Sequence, residues 1–183
     1  MISFPKRIRH YLQTDAILQT VLRIVIDEVK KRIIVCSPKI TRAQFGAVSF
    51  IQRFGTTLNL HPHFHLVVAD GLFEMKDDSF QFHEAFLTAD DIADTQDKIH
   101  QCILKIFGRR GWIEKEEIKN MLTYENSGFS LDGSVRIESW DREGLERLIT
   151  GSNGVRPPGP VTPIFWKPRL KFVQIFRTQV KGS

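Results

Sequence analysis

The chain has 183 residues, a length that suits one domain with a tail, and its shares of 42% apolar and 26% charged residues are those of a soluble globular protein. Its two cysteines, Cys36 and Cys102, exclude a disulfide scaffold and a four-cysteine zinc ribbon, and they favour a reduced, cytoplasmic setting. The sequence contains neither a secretory signal nor an apolar run long enough for a membrane span, so we expect no membrane partner.

The formal charge of +5 is distributed unevenly along the chain. Residues 1–56 carry ten Lys and Arg against three Asp and Glu, residues 57–149 carry ten against eighteen, and residues 150–183 carry six basic residues and no acidic one. A basic first third can neutralise DNA phosphates. It can equally be the solvated face of a helix and its flanks, and charge alone does not decide between the two. The candidate DNA-binding residues are Lys6, Arg7, Arg9, Arg42 and Arg53.

A long helix and two strands are the first elements predicted after an N-terminal segment, residues 1–13. Thr14 predicts the cap of a helix from about Asp15 to Ile33, because apolar residues recur there at helical spacing. Two runs rich in β-branched and aromatic residues, 47–54 and 58–69, predict strands. The Asp70-Gly71 pair that follows predicts a type I′ hairpin turn.

The next part of the chain alternates between an extended piece and helices. Residues 80–86 predict a short strand. Thr88 predicts the cap of a second long helix, and Gly108 predicts that this helix ends near Arg109 and Arg110. A short helix is predicted from about Glu114 to Leu122.

The end of the domain is predicted to hold a second hairpin, around Asp132-Gly133, and a helix capped by Asp141. The order of these elements predicts an α+β domain over residues 14–149, in which helices pack mainly on one face of an antiparallel sheet. Residues 150–183 contain five of the eight prolines. We expect them to be an irregular, basic Pro/Gly-rich tail that is disordered or derived from a reading-frame change.

Three alternating histidines, His61, His63 and His65, are the pattern most indicative of chemistry. Alternate residues of a strand share one face, so His63 and His65 project together, with Phe64 on the opposite face. These two imidazoles can share one divalent metal ion, and His61 is a candidate to join them. Pro62 indicates that His61 lies at a strand edge or an irregular start. The alternative is that these histidines are surface residues or hydrogen-bonded core residues, and spacing leaves both possibilities open.

Longer blocks around this motif resemble one known family. The blocks GAVSFIQRFGTTLNLHPHFH (46–65), Asp70-Gly71, SGFSLDGSVRIE (127–138) and DREGLERL (141–148) closely resemble rolling-circle insertion-sequence transposases of the two-tyrosine class. These belong to the HUH single-strand endonucleases, named for His-hydrophobe-His. The segment FPKRIR (4–9) also resembles the part of those proteins that precedes the nuclease domain, so the resemblance covers about residues 3 to 149.

The resemblance implies an HUH endonuclease-like fold, DNA transposition and binding of single-stranded DNA at transposon ends. It also implies a divalent ion, Mg²⁺ or Mn²⁺, that polarises a DNA phosphate while a tyrosine hydroxyl attacks it. His63 and His65 map onto the metal pair, and Gln52 and His61 are the candidates for the third ligand.

The chain also departs from that family pattern. The nucleophilic tyrosine follows the helix that corresponds to residues 141–149, but here the Gly/Pro-rich tail begins at this point and contains no tyrosine. The two tyrosines present, Tyr11 and Tyr124, do not match the motif, so no catalytic residue is assigned. The N-terminal cysteine-rich zinc module is absent as well, and we expect a copy truncated at both ends whose strand cleavage is crippled. The alternatives are a non-catalytic DNA-binding protein that interferes with an intact transposase and a decayed reading frame without a selected role.

Overall fold

The computed structural model describes residues 2–40, 42–54, 60–77, 79–123, 128–138, 140–141, 143–144 and 170–173. The strands are β1 (Ile2–Ser3), β2 (Ala43–Phe54), β3 (Leu60–Lys76), β4 (Ser79–Glu84), β5 (Ser130–Leu131), β6 (Arg136–Ile137) and β7 (Leu170–Val173). The helices are α1 (Lys6–Arg9), α2 (Asp15–Cys36), α3 (Ala89–Arg109) and α4 (Lys115–Thr123), and a short 3₁₀ turn spans Tyr11–Gln13. None of these helices combines the length and the apolar character needed to cross a membrane.

The 17-residue strand β3 organises an antiparallel sheet of seven strands. Strand β2 pairs along one edge of β3, from Ala43 opposite Glu74 to Phe54 opposite Leu60. Strands β1, β7 and β4 pair in succession along the other edge. β5 then extends the sheet from β1, and β6 extends it from β7. Every part of the described sheet is therefore positioned by β3.

The helices pack on one face of β3, as the sequence predicts for an α+β domain. Apolar side chains of α2 and α3 form one continuous buried cluster with the β3 residues Phe64, Leu66, Val68 and Leu72. The intervening residues of β3, among them His63 and His65, project from the opposite face because side chains alternate along a strand. Burial of the helix-facing set fixes the pairing register, since a slip of one residue would move every apolar side chain out of the core.

The predicted long helices are confirmed, although their ends differ in detail. Thr88 caps α3 in a reciprocal capping box: its hydroxyl accepts from the Asp91 backbone N–H at 3.2 Å, and Asp91 Oδ2 accepts from the Thr88 N–H at 2.8 Å. Thr14 occupies the corresponding position of α2 but makes no capping hydrogen bond. The predicted end of α3 near Arg109 and Arg110 is confirmed, although Gly108 lies within the last turn of the helix and it is Gly111, beyond that end, that adopts a positive φ, of 68°.

The predicted hairpin at Asp70-Gly71 is wrong, because β3 continues through both residues to Lys76. Asp70 is completely buried and accepts a 2.7 Å hydrogen bond from Arg136, which lies 66 residues further along the chain. Gly71 supports the close approach of β4, since a Cβ atom there would lie 2.1 Å from the His83 carbonyl oxygen. A buried ion pair and tight strand packing thus replace the turn.

The prediction of a second hairpin around Asp132-Gly133 is wrong as well. β5 pairs with β1, and β6 pairs with β7, so the two strands that flank this dipeptide have different partners. The Asp132 carboxylate instead accepts a 2.8 Å hydrogen bond from the Ser134 N–H, which is an Asx turn.

Only part of the predicted C-terminal region belongs to the described residues. Asp141 Oδ1 accepts from the Gly144 N–H at 2.8 Å, as expected of a helix cap, but most of the helix predicted to follow lies outside the described residues. The same holds for the predicted tail, residues 150–183, except that Leu170–Val173 forms β7 and pairs with Leu66–Ala69 of β3.

Candidate metal centre

The candidate centre lies on the face of the sheet away from the helices, where β2 and β3 run side by side. The register places Gln52 directly opposite His63 and Phe50 opposite His65, so all four side chains share this face. His63 is nearly buried, at 6% exposure, and His65 is partly buried. The centre is part of the sheet surface and is separate from a cavity of about 80 Å³ among the helices on the other side.

Three donor atoms converge at this point. Gln52 Oε1 lies 2.7 Å from His63 Nε2 and 3.2 Å from His65 Nε2, and the centroids of the two imidazole rings are 5.0 Å apart. Two ligand atoms at about 2.1 Å from one octahedral cation, on adjacent vertices, are separated by about 3.0 Å. The observed separations lie on either side of that value, so this donor set fits a divalent ion.

The hydrogen bond of His63 Nδ1 determines which of its nitrogens is available to a ligand. Nδ1 lies 2.6 Å from the His61 carbonyl oxygen, which can only accept, so Nδ1 carries the proton and Nε2 presents a lone pair. Nε2 lies 2.7 Å from Gln52 Oε1, a contact in which a hydrogen bond forms only when the Gln52 amide presents its NH₂ group in place of its oxygen. A shared cation would make the arrangement favourable, and an Nδ1–H bonded to a backbone carbonyl is a common support for a metal-binding histidine.

Burial keeps both imidazoles in the neutral form that metal ligation needs. Desolvation, followed by the positive charge of a protonated His63, lowers the pKa of His65 to about 4. Desolvation also lowers the pKa of His63, although its hydrogen bond to the His61 carbonyl opposes this shift. His65 Nδ1 is buried and makes no hydrogen bond within the described part of the chain.

The structure distinguishes the two candidates for the third ligand. Gln52 Oε1 lies within 3.2 Å of the Nε2 atoms of both His63 and His65. His61 Nδ1 instead lies 3.5 Å from His63 Nδ1, on the other side of the His63 ring. Among the described residues, no group of three or more His, Cys, Asp and Glu side chains is arranged to hold a metal ion. The donor set brought together here therefore depends on the amide oxygen of Gln52.

The five candidate DNA-binding residues are not gathered in one patch. Arg9 lies near the centre, since its charge contributes to lowering the pKa of His63, and its Nε donates to the Phe4 carbonyl oxygen at 2.8 Å. Lys6 and Arg7 are exposed on α1, and Arg7 lies 3.8 Å from Glu117.

The other two candidate residues lie away from the centre. Arg53 is bound by the Asp15 carboxylate and the Gln13 carbonyl oxygen at the start of α2. Arg42 precedes the end of β2 that is farther from Gln52. The nine residues of extended strand between Arg42 and Gln52 correspond to about 30 Å.

One neighbour of the centre was not predicted from sequence. Ser3 of β1 pairs with His63 from the side opposite Gln52, so its side chain lies on the same face. A two-residue strand leaves no periodicity to detect, and no sequence signal would have identified Ser3.

Comparison with known proteins identifies the family of the chain. Residues 46–150, which include β2 from Gly46 onwards, β3 and the three donor side chains, match the family model described as "Putative transposase". No curated protein and no solved structure matches the chain. The matched segment spans more than half of the 183 residues, and the chain therefore belongs to this transposase family.

Proposed function

We propose that the chain binds single-stranded DNA at transposon ends together with a divalent metal ion, as an HUH-type domain for strand cleavage and transfer. Membership of the transposase family supports a role in DNA transposition generally. The observation that carries the finer proposal is the convergence of His63 Nε2, His65 Nε2 and Gln52 Oε1, because three neutral atoms that can each present a lone pair are suited, at these distances, to a shared cation.

Each side chain around the centre has a distinct part in this proposal. Gln52, His63 and His65 would hold the ion, whose chemistry is to polarise a phosphate oxygen of the DNA. Two imidazole ligands favour Mn²⁺ over Mg²⁺, for which oxygen donors are better suited. Arg9 has its Nη atoms free of hydrogen bonds to described residues, and it would bind the DNA phosphate beside the ion.

A second candidate function, DNA binding without cleavage, is favoured by the environment of Tyr11. Its hydroxyl donates to the Trp112 carbonyl oxygen, and its ring packs edge-on against Phe107 with centroids 5.6 Å apart. A hydroxyl held in this way is not available to attack a phosphate at the sheet face. Tyr124, the other tyrosine, lies outside the described residues. We therefore propose that strand cleavage is crippled and that the protein occupies transposon ends.

Calorimetric titration with Mn²⁺ tests the metal centre. We expect the wild-type protein to bind Mn²⁺ and the His63→Ala/His65→Ala double variant to lose this binding while remaining folded. His83→Ala is a matched control, because His83 is also half-buried in the sheet but contacts Glu74 instead of the centre. Unchanged heats in the double variant would remove the metal assignment.

Incubation with fluorescent single-stranded DNA and Mn²⁺ separates the two functions. A shifted band without a covalent adduct supports DNA binding with crippled cleavage. A phosphotyrosyl adduct that disappears in Tyr124→Phe would show that a nucleophile remains, and would contradict the second function.

A further inference from the structure

The outer edge of β2 is the feature that leads beyond the proposed function. β2 is twelve residues long, and β3 is its pairing partner; within the described part of the chain no other strand pairs with it. In an antiparallel pair, every second residue directs its N–H and C=O away from the partner. An edge of this length is therefore a template for another strand.

The composition of β2 lacks the features that usually protect such an edge. Its one charged residue is Arg53, which is bound by Asp15 and the Gln13 carbonyl, and it contains neither lysine nor proline. Residues 47–52 form an uninterrupted register with β3 between two irregularities. Within this stretch Val48 is 55% exposed on the face of the metal centre, and Ile51 is 41% exposed on the helix face. The central stretch is thus uncharged, regular and apolar on both faces.

We propose that this edge pairs with the same edge of a second copy of the chain, in an antiparallel dimer with a continuous sheet. A two-fold axis makes an antiparallel edge self-complementary, because each unpaired donor meets an equivalent acceptor. The uncharged stretch also brings no like charges together, although each chain carries +5. DNA is a poor alternative occupant, because the stretch offers no cation to a phosphate.

Cross-strand pairing determines the register of this dimer. With Ser49 on the two-fold axis, Val48 lies opposite Phe50 of the partner and Ala47 lies opposite Ile51 of the partner. The axis generates each of these apolar pairs twice, and such pairs stabilise sheets. Among registers that keep both faces of the sheet continuous, this is the one that places both Val48 and Ile51 opposite an apolar residue of the regular stretch, residues 47–52.

The dimer has a consequence for the proposed metal centres, which is the only part that rests on the proposed function. A two-fold axis normal to the sheet keeps His63, His65 and Gln52 of both copies on one face. From a rise of about 3.3 Å per residue and a strand spacing of about 4.8 Å, the two His63 residues would be about 25 Å apart. Two DNA strands could then be held side by side by one continuous sheet.

Cysteine cross-linking tests the register. Directly opposite Cα atoms are about 4.5–5.5 Å apart, which is within the range of a disulfide. We expect Ser49→Cys to form a covalent dimer on mild oxidation. Gln44→Cys, in the same strand but about 33 Å from its symmetry mate, should not. The wild-type chain, with Cys36 and Cys102, controls for its own thiols. Failure of Ser49→Cys to cross-link would overturn this register.

Sedimentation equilibrium at micromolar concentration tests the interface itself. We expect the wild-type protein to have twice the mass of one chain, and Val48→Lys to have the mass of one chain, because a charge would lie opposite Phe50 of the partner. Val35→Lys, at a position on α2 that is 75% exposed, should remain a dimer. A monomeric wild type, or a dimeric Val48→Lys, would overturn the proposal. If the monomeric Val48→Lys variant still binds Mn²⁺, then the dimer has been lost while the metal centre is intact, and the two proposals are tested separately.

Discussion

His63 Nε2 and Gln52 Oε1 lie 2.7 Å apart on neighbouring strands, although the two residues are separated by eleven positions in the chain. The hydrogen bond of His63 Nδ1 to the His61 carbonyl leaves Nε2 as an acceptor, so the contact joins two lone pairs. With the Gln52 oxygen in this position, a cation held between the two atoms would make the contact favourable. The identity of residue 52 should therefore control metal affinity.

Substitution of Gln52 tests that relationship. We expect Gln52→Ala to weaken Mn²⁺ binding roughly 10- to 100-fold, because one of three ligands is lost. Gln52→Glu should strengthen it, because a carboxylate adds negative charge to the donor set. Gln44→Glu places the same charge near the far end of β2 and should leave the affinity unchanged. Calorimetry gives these affinities, and equal values for Gln52→Ala and the wild type would exclude Gln52 as a ligand.

Arg9 and Arg53, both named from sequence as DNA-binding candidates, should behave differently. We expect Arg9→Gln to lower the slope of log affinity for single-stranded DNA against log salt by about 0.7, the value for one phosphate contact. Arg53→Gln should leave this slope unchanged, because Arg53 already binds Asp15 and the Gln13 carbonyl. Fluorescence anisotropy over a range of salt concentrations measures both slopes. Equal slopes for the two variants would contradict the placement of DNA beside Arg9.

Gly71 should be intolerant of any side chain. A Cβ atom would lie 2.1 Å from the His83 carbonyl oxygen and 2.8 Å from Phe82, so Gly71→Ala must displace β4. We expect the free energy of unfolding to fall by about 1–3 kcal/mol, as for overpacked interiors. In Gly46→Ala the nearest atom is a Phe73 ring carbon at 3.2 Å, which can shift, so the loss should be smaller. Urea denaturation compares the two, and a neutral Gly71→Ala would contradict the strand packing described above.

The α3 capping box should make stability depend on pH in acid. Hydrogen bonds from the Thr88 backbone N–H and side chain lower the pKa of Asp91 from 3.8 to about 2. The unfolded chain therefore binds a proton before the folded chain does, and the contribution of Asp91 is complete above about pH 4 and is lost as the pH falls towards 2.

Urea midpoints measured between pH 5 and pH 2 test this dependence. We expect the difference in stability between the wild type and Asp91→Asn to shrink as the pH falls. Asp90→Asn, whose carboxylate takes no part in the capping box, should keep the wild-type dependence. We also expect Thr88→Ala to lower the free energy of unfolding by about 1 kcal/mol at neutral pH. If the difference in stability between Asp91→Asn and the wild type did not change with pH, the result would contradict the assignment of the lowered pKa to Asp91 in the capping box.

The sequence by itself determined the features that depend on near neighbours in the chain. Helical spacing of apolar residues predicted α2 and α3, and the Thr88 cap was correct because its partner, Asp91, is three residues away. The shared face of His63 and His65 followed from the two-residue repeat of a strand, which requires no knowledge of the fold.

Only the tertiary structure decided the features that join distant segments. Gln52 and His61 were both third-ligand candidates from sequence, and the register of β2 on β3 places Gln52, rather than His61, against both Nε2 atoms. Ser3 reaches the centre because β1 pairs with β3 at His63. Asp70-Gly71 carries a turn signature, but burial of Asp70 against Arg136 keeps the strand extended. Local preferences of this kind are small beside the free energy required to leave a buried carboxylate unpaired, so long-range contacts determine the outcome.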